Sequence, residues 1–230
     1  MNLQGLQKLT LLDYPGRVAC TVFTGGCNFR CPFCHNALLV THTQDNKSIS
    51  EEEFFSFLKK RQGILDGVCI TGGEPLLNRD IADFADKIHS LGFKVKLDTN
   101  GSFPERLQQL IDGGYVDYVA MDIKNTPEKY GLTIGCENFD ISPILKSVEI
   151  LKEGKVPYEF RTTVVSEFHI AEDFETIGKW LVGCEKYFLQ VFTDSGDLIE
   201  DGLHACSKVE MEKMLDIARN FVPSAMLRGV

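Results

Sequence analysis

Six times along this chain a short apolar run is followed by a segment of helical spacing, and that alternation restricts the fold more than any other feature. The runs are Val18–Thr24, Gly67–Thr71, Lys94–Asp98, Tyr118–Ile123, Glu159–Val165 and Tyr187–Phe192. Each is rich in Val, Ile, Phe or Thr and bounded by Gly, Pro, Asp or Asn, which reads as a strand. Between them, Ser50 and Glu53 form a capping-box pattern ahead of Phe54, Phe55 and Leu58. Ile81, Phe84, Ala85, Ile88 and Leu91 lie on one helical face, and Leu107, Leu110 and Ile111 form a shorter stripe. Ser142–Pro143 opens a further helix as cap and first residue, and Gly154 closes it. Phe174, Ile177 and Leu181 mark a fifth helix, and Ser207 with Glu210 caps a sixth carrying Met211, Met214, Leu215, Ala218 and Phe221. Six β–α units in succession predict an α/β fold, a parallel sheet covered by helices, either doubly wound and open or curved into a barrel. In both, functional groups gather at the C-terminal ends of the strands.

Neither a linker nor a repeat interrupts the 230 residues, so a single domain spanning 1–230 is expected, long enough for a sizeable core. Acidic residues outnumber basic ones 33 to 24, for a net charge of −9. That balance argues against a broad nucleic-acid surface and favours a small molecule or a docked protein. No run of 18 apolar residues and no basic-then-apolar leader marks a membrane span or a secretory signal. Eight cysteines without a leader point to a reducing, cytoplasmic setting, where clustered thiols bind metal more often than they pair.

Three of those cysteines form Cys27-Asn-Phe-Arg-Cys31-Pro-Phe-Cys34, directly after the first predicted strand. Three thiolates in so short a loop can wrap one soft metal centre. Structural zinc calls for four ligands, and no local fourth Cys or His has the spacing of a finger or ribbon. His35 is too close to Cys34 to complete the same tetrahedron easily. An iron–sulfur cubane held by three thiolates keeps one iron open for a ligand. The remaining cysteines read as core (Cys20, Cys69) or scattered (Cys136, Cys184, Cys206), and His42, His89, His169 and His204 as surface or cap residues. The stretch from Asn36 to Ser50 is too short for a second, ferredoxin-like cluster insert.

Further chemistry-bearing residues sit at the strand ends. Thr71-Gly72-Gly73-Glu74-Pro75 ends the second strand; its glycines suit a tight turn or close approach of a ligand, and its acid can meet an ammonium. The third strand ends Asp98-Thr99-Asn100-Gly101 and the fourth Met121-Asp122-Ile123-Lys124. Two carboxylates and a lysine on one rim are hard to leave unpaired beside a buried pocket. The fifth strand carries Arg161 and Thr163, and the sixth Gln190 and Phe192.

The CxxxCxxC loop within repeated β–α units resembles the radical S-adenosylmethionine superfamily. The resemblance implies a [4Fe-4S] cluster on Cys27, Cys31 and Cys34, with S-adenosyl-L-methionine chelated on the open iron by its amino and carboxylate groups. Reductive cleavage then yields a hydrogen-abstracting 5′-deoxyadenosyl radical. Gly72, Gly73, Glu74 and Pro75 resemble the GGEP motif that contacts the methionyl amino group. Asp98-Thr99-Asn100-Gly101 and Met121-Asp122-Ile123-Lys124 resemble the corresponding stretches of glycyl-radical-enzyme activases such as pyruvate formate-lyase activating enzyme. Carried across, Lys124 contacts the cofactor carboxylate, and Asp98 and Asp122 beside it hold a monovalent cation. Arg161 and Thr163 match an arginine and an adenine contact. Phe33 packs on the adenine or caps the cluster. The ribose contact departs from the pattern, with Gln190 or Phe192 where pyruvate formate-lyase activase has a histidine.

Asp13-Tyr14-Pro15-Gly16-Arg17 and the exit Cys34-His35-Asn36 are similar to the activase group. The whole chain, through Leu227-Arg228-Gly229, is most similar to anaerobic ribonucleoside-triphosphate reductase activating proteins. That resemblance implies a partial (β/α)6 TIM-like barrel, an electron from flavodoxin or ferredoxin, and a glycyl radical installed on the partner reductase in an anaerobic cytoplasm. A different glycyl-radical partner or a small-molecule substrate is the nearer alternative, and a non-catalytic zinc protein the distant one.

Overall fold

The computed structural model describes residues 1–41 and 48–229. In chain order the elements are β1 (Leu3–Thr10), β2 (Ala19–Thr24), α1 (Ala37–Thr41), α2 (Glu51–Lys59), β3 (Gly67–Gly72), α3 (Ile81–Ser90), β4 (Lys94–Thr99) and α4 (Pro104–Asp112). There follow β5 (Tyr118–Asp122), α5 (Tyr130–Thr133), α6 (Ser142–Lys152), β6 (Tyr158–Val164), α7 (Asp173–Trp180), β7 (Tyr187–Val191), α8 (Lys208–Arg219) and β8 (Met226–Arg228). All eight strands join one sheet in sequence order. From β2 to β8 every pairing is parallel, while β1 lies antiparallel to β2.

The six predicted runs are β2 to β7, each matching to within about a residue at either end. Their parallel order is that of the expected partial (β/α)6 barrel, widened by β1 on one edge and β8 on the other and left unclosed. The sheet nevertheless curves. A cavity of about 180 Å³ is lined both by Leu12, Asp13 and Pro15, beside β1, and by Gln190 and Arg228 of β7 and β8.

Period-two alternation along the strands sorts the two faces. In β4, Val95 and Leu97 are buried among apolar neighbours, while Lys96 and Asp98 line that inner cavity. In β6, Phe160 and Val164 belong to the apolar layer, and Glu159 and Arg161 face inward with Lys96. Glu159 is held by Arg228 Nη1 and Nη2 at 2.9 and 3.2 Å and by the Tyr118 hydroxyl at 3.0 Å. The barrel interior is therefore ionic, and the apolar core lies between sheet and helices.

The helix boundaries follow their caps. Ser50 and Ser207 each accept from the backbone N–H three residues on, and Glu53 and Glu210 reach back, completing both capping boxes. The expected cap at Ser142 is displaced by one residue: Ile141 occupies the N-cap and Ser142 starts α6. The Asp140 carboxylate accepts from the Ser142 N–H at 3.0 Å, so a side chain two residues upstream satisfies that donor. Phe54 of α2 and Phe84 of α3 stack with centroids 5.3 Å apart, and both are essentially solvent-free.

Replacing Phe84 by Ala should lower stability by about 3–5 kcal/mol through loss of buried area and the cavity left behind. A urea unfolding curve with an unchanged slope and a lower midpoint would register it; a loss under about 1 kcal/mol would contradict this packing.

Candidate active site

At the C-terminal ends of β2 to β7 lies a cavity of about 220 Å³. Its wall contains Cys27, Phe33, Cys34 and His35 from the loop after β2, with Cys31 beside them. Gly72 and Gly73 come from the end of β3, Asp98 and Asn100 from β4 and its exit, and Asp122 and Lys124 from β5 and its exit. Arg161 and Thr163 come from β6 and Gln190 from β7. Glu74, fully buried, and Pro75, also buried, lie behind that wall. Residues separated by more than 160 positions are thus gathered at one rim.

The cysteine loop is fixed by backbone contacts with the turn that ends β3. Gly73 N–H donates to Thr24 O at 2.9 Å, and Glu74 N–H to Gly26 O at 2.8 Å. A Cβ on Gly73 would stand 2.0 Å from Gly26 O, and one on Gly72, whose φ is +121°, would stand 2.4 Å from Thr24 N. Both glycines therefore accommodate the backbone that carries Cys27. Close approach is the reason for them on this side, where the body in contact is the cysteine loop, and both glycines also line the cavity. Asn36 Nδ2 donates to Gly72 O at 3.1 Å from the loop's far end. Arg30 Nη1 donates to Cys27 O at 2.7 Å and Phe29 O at 2.8 Å.

Glu74 continues this clamp to β4. Its carboxylate accepts from the Thr99 hydroxyl at 2.8 Å, the Asn100 N–H at 2.7 Å and the Leu76 N–H at 3.0 Å. Burial pushes this carboxyl up to about 7, while those three donors favour its ionised form. Asn100 Nδ2 lies 3.8 Å from Cys27 Sγ, and the Phe29 N–H donates to the same sulfur at 3.4 Å. Burial pushes the Cys27 thiol up to about 12 and Cys31 up to about 11, and raises Cys34 as well. Metal binding therefore has to displace their protons.

The opposite wall is a chain of alternating charges. Lys96 pairs with Asp98 Oδ1, and Arg161 Nη1 donates to Asp98 Oδ2 at 3.3 Å. Arg161 also reaches Asp122 Oδ1, from Nε at 3.0 Å and Nη2 at 2.9 Å. Lys124 Nζ donates to Asp122 Oδ2 at 2.9 Å. Burial alone would raise both carboxyls. Arg161 and Lys96 beside Asp98, and Lys124 and Arg161 beside Asp122, hold them below the usual carboxylate range. Burial likewise opposes the charge on Lys124, but the Asp122 carboxylate, with a further contribution from Cys31 as a thiolate, outweighs it and pushes its pKa up.

Several residues differ from their sequence reading. His169 is buried, not superficial: Nε2 donates to Lys124 O at 2.8 Å and Nδ1 accepts from Val165 N–H at 3.2 Å. It holds the backbone that presents Lys124, a role with no signal in spacing. His89 and His204 pair with Asp117 and Glu167 near the surface. His42, and residues 42–47 of the Asn36–Ser50 stretch, lie outside the described residues. Lys96 was not singled out, although its alternation with Asp98 along one strand places both on the same face. Phe192 packs on the His35 ring at a centroid distance of 5.6 Å, and Gln190, not Phe192, lines the cavity. Phe33 is buried against Phe168, centroids 5.6 Å apart.

This donor set fits the expected groups. Among the described residues no three His, Cys, Asp or Glu side chains are gathered tightly enough to hold one metal ion. Three thiols lining a cavity suit a body several ångström wide with iron at its corners. Gln190 Oε1 is buried without a hydrogen-bond partner, the state of an acceptor kept for a ligand hydroxyl or N–H.

The fold and this site define a radical S-adenosylmethionine enzyme, and residues 21–181 match the Radical SAM superfamily, to which the chain belongs. Its cofactors are accordingly a [4Fe-4S] cluster and S-adenosyl-L-methionine. Within that superfamily it falls among the glycyl-radical enzyme activating enzymes. A Methanocaldococcus jannaschii protein provisionally named as one is 32% identical over 99% of this chain and 96% of its own length. The pyruvate formate-lyase-activating enzyme of Listeria monocytogenes is 26% identical over 71% of this chain and 68% of its own length. In structure, a domain of pyruvate-formate lyase-activating enzyme from Bacteroides vulgatus has a TM-score of 0.58 at 19% identity, covering 71% of this chain and 99% of that one.

Gly73→Ala should displace the cysteine loop and leave less than roughly half the wild-type iron after anaerobic reconstitution, with circular dichroism unchanged. Gly5→Ala, where a Cβ makes only ordinary contact, 3.4 Å from the Phe23 ring, is the control expected to keep its iron. Full iron loading of the Gly73 variant would contradict the steric account.

Proposed function

We propose that this chain installs the glycyl radical of an anaerobic ribonucleoside-triphosphate reductase. The observation that carries the activase chemistry is the convergence of three thiols, the Asp122–Lys124 pair and the orphaned Gln190 acceptor on one cavity. The choice of reductase rests on the end-to-end resemblance and on the Pro15–Gly16 and His35–Asn36 flanks.

In this reading Cys27, Cys31 and Cys34 hold three irons and leave the fourth open to S-adenosylmethionine. The bound groups together supply one-electron cleavage of the sulfonium and a hydrogen-abstracting adenosyl radical. Lys124 meets the cofactor carboxylate as a buried cation, kept charged and oriented by Asp122. Gln190 Oε1, beside Thr163 in the β6–β7 register, accepts from the ribose, while Thr163 faces the adenine. Phe33, backed by Phe168, supplies an apolar surface that excludes water next to the cysteines. Flavodoxin or ferredoxin supplies the electron, and the reaction belongs to an anaerobic cytoplasm. Residues 1–230 act as one catalytic domain. Among the described residues no helix is long and apolar enough to cross a membrane.

Incubating the reconstituted, reduced enzyme and S-adenosylmethionine with the reductase should give a glycyl-radical doublet by EPR. A doublet on pyruvate formate-lyase and none on the reductase would overturn the partner assignment. In the Cys31→Ala variant 5′-deoxyadenosine formation should vanish while the fold persists. Gln190→Leu should weaken S-adenosylmethionine binding by about tenfold, the worth of one well-made hydrogen bond, as read by equilibrium dialysis.

A further inference from the structure

The family resemblance assigns Asp98 and Asp122 to a monovalent cation, but the structure fills both carboxylates with side chains of the protein. Each of their four oxygens has a charged donor: Lys96 and Arg161 on Asp98, Arg161 and Lys124 on Asp122. Every oxygen of the two carboxylates already meets a protein cation, so an added ion would have to share an oxygen with one of them or displace it. We propose that Lys96 and Arg161 serve as built-in counter-ions in place of that cation, and that the enzyme binds S-adenosylmethionine with no alkali-metal requirement.

Charge balance supports the assignment. Lys96, Arg161, Lys124 and Arg228 supply four formal positive charges against four on Asp13, Asp98, Asp122 and Glu159, all on the two adjoining cavities. A further cation would leave this set positive, in a region where uncompensated charge is costly. Lys96 is 1% exposed, and among the described residues its hydrogen-bond partners are Asp98 and the Cys69 thiol, the latter at 3.7 Å. Its ammonium is therefore committed to Asp98. Asp98 in turn orients Arg161, and Arg161 orients Asp122 against Lys124. On this account Lys96 is a positioning residue for the cofactor's carboxylate end, acting through three intervening side chains.

The inference deepens the cofactor reading and is independent of which glycyl protein is activated. S-adenosylmethionine affinity of the reconstituted enzyme is to be measured by equilibrium dialysis in potassium, sodium and choline chloride at equal ionic strength. The expected dissociation constants agree within about twofold. Lys96→Ala opens space beside Asp98 and creates the missing cation seat. Its affinity should fall at least about tenfold in choline and recover at least about threefold in potassium. Potassium should also raise the melting temperature of this variant, whereas it leaves the wild type unchanged.

Wild-type affinity that drops about tenfold or more in choline would overturn the proposal. So would a folded Lys96→Ala protein whose affinity is the same in all three salts, since a purely structural lysine predicts an equal loss everywhere. If that variant does not fold, the wild-type comparison decides alone. Absence of binding in every salt would overturn the cofactor reading as well, which separates the two failures.

Discussion

The position of the cysteine loop depends on a backbone weld between the end of β2 and the turn after β3. Two hydrogen bonds, Gly73 N–H to Thr24 O and Glu74 N–H to Gly26 O, bring the two segments to contact distance. Each bond contributes only about 1 kcal/mol net, but the steric side is far less forgiving. The Cβ of any residue but glycine at position 73 would fall far inside the van der Waals contact distance of a carbonyl oxygen. Parallel pairing of Thr24 with Gly72 sets the register, and the weld converts that register into a place for Cys27. Glu74 then extends the constraint to the end of β4, because its carboxylate accepts from Asn100 and Thr99. Three strand ends are thereby locked before any cofactor is considered.

The other half of the rim is organised by charge. Arg161 sits at its centre, bridging Asp98 and Asp122 from the adjoining strand. Burying five ionisable groups is costly, and the cost is tolerable only because every carboxylate oxygen is matched by a donor. Removing one member leaves a neighbour unpaired, so the set behaves as a unit. On the proposed account, that is how Lys96, whose ammonium is directed to Asp98, bears on a lysine at the end of the neighbouring strand.

Much of this was legible in the sequence because it is local or periodic. The six parallel strands announce themselves as short runs with turn residues at both ends, and the strand-end rule then collects Cys27, Gly73, Asp98, Lys124, Arg161 and Gln190 at one rim. β1 escaped because its sequence, LQGLQKLT, carries Gly, Gln and Lys, and only Leu3 and Thr10 are buried. An edge strand has one partner and needs no continuous apolar run. β8 is three residues long, too short for periodicity. The glycines of the Thr71–Pro75 turn were recognised as close-approach positions, but a missing Cβ does not say what approaches. Glu74 has the same ambiguity: an acid beside a pocket can face a ligand or turn inward to backbone donors, and here it turns inward. His169 was read as peripheral because nothing in the spacing shows that the chain folds back onto the Lys124 carbonyl.

The two halves of the rim are thus made rigid by different physics, and the difference bears on what each can tolerate. On the thiol side, placement comes from backbone contact and excluded volume, which do not depend on ionic strength and respond sharply to added bulk. On the charged side, placement comes from complementary charge, which depends on every partner being present. Solvent salt has limited access to it, because the Asp98, Arg161 and Lys124 side chains are each only 15% exposed and Asp122 31%. The contacts that hold the thiols in place are largely neutral, and the ion pairs are gathered on the facing wall. A cofactor that joins a metal centre to a zwitterionic amino acid presents the same two demands, a fixed seat for the metal and a balanced charge for the carboxylate. On the proposed reading they would be met by separate strands, β2 and β3 for the first and β4 to β6 for the second. Glu74 and Asn100 form the seam where the two sets of constraints meet.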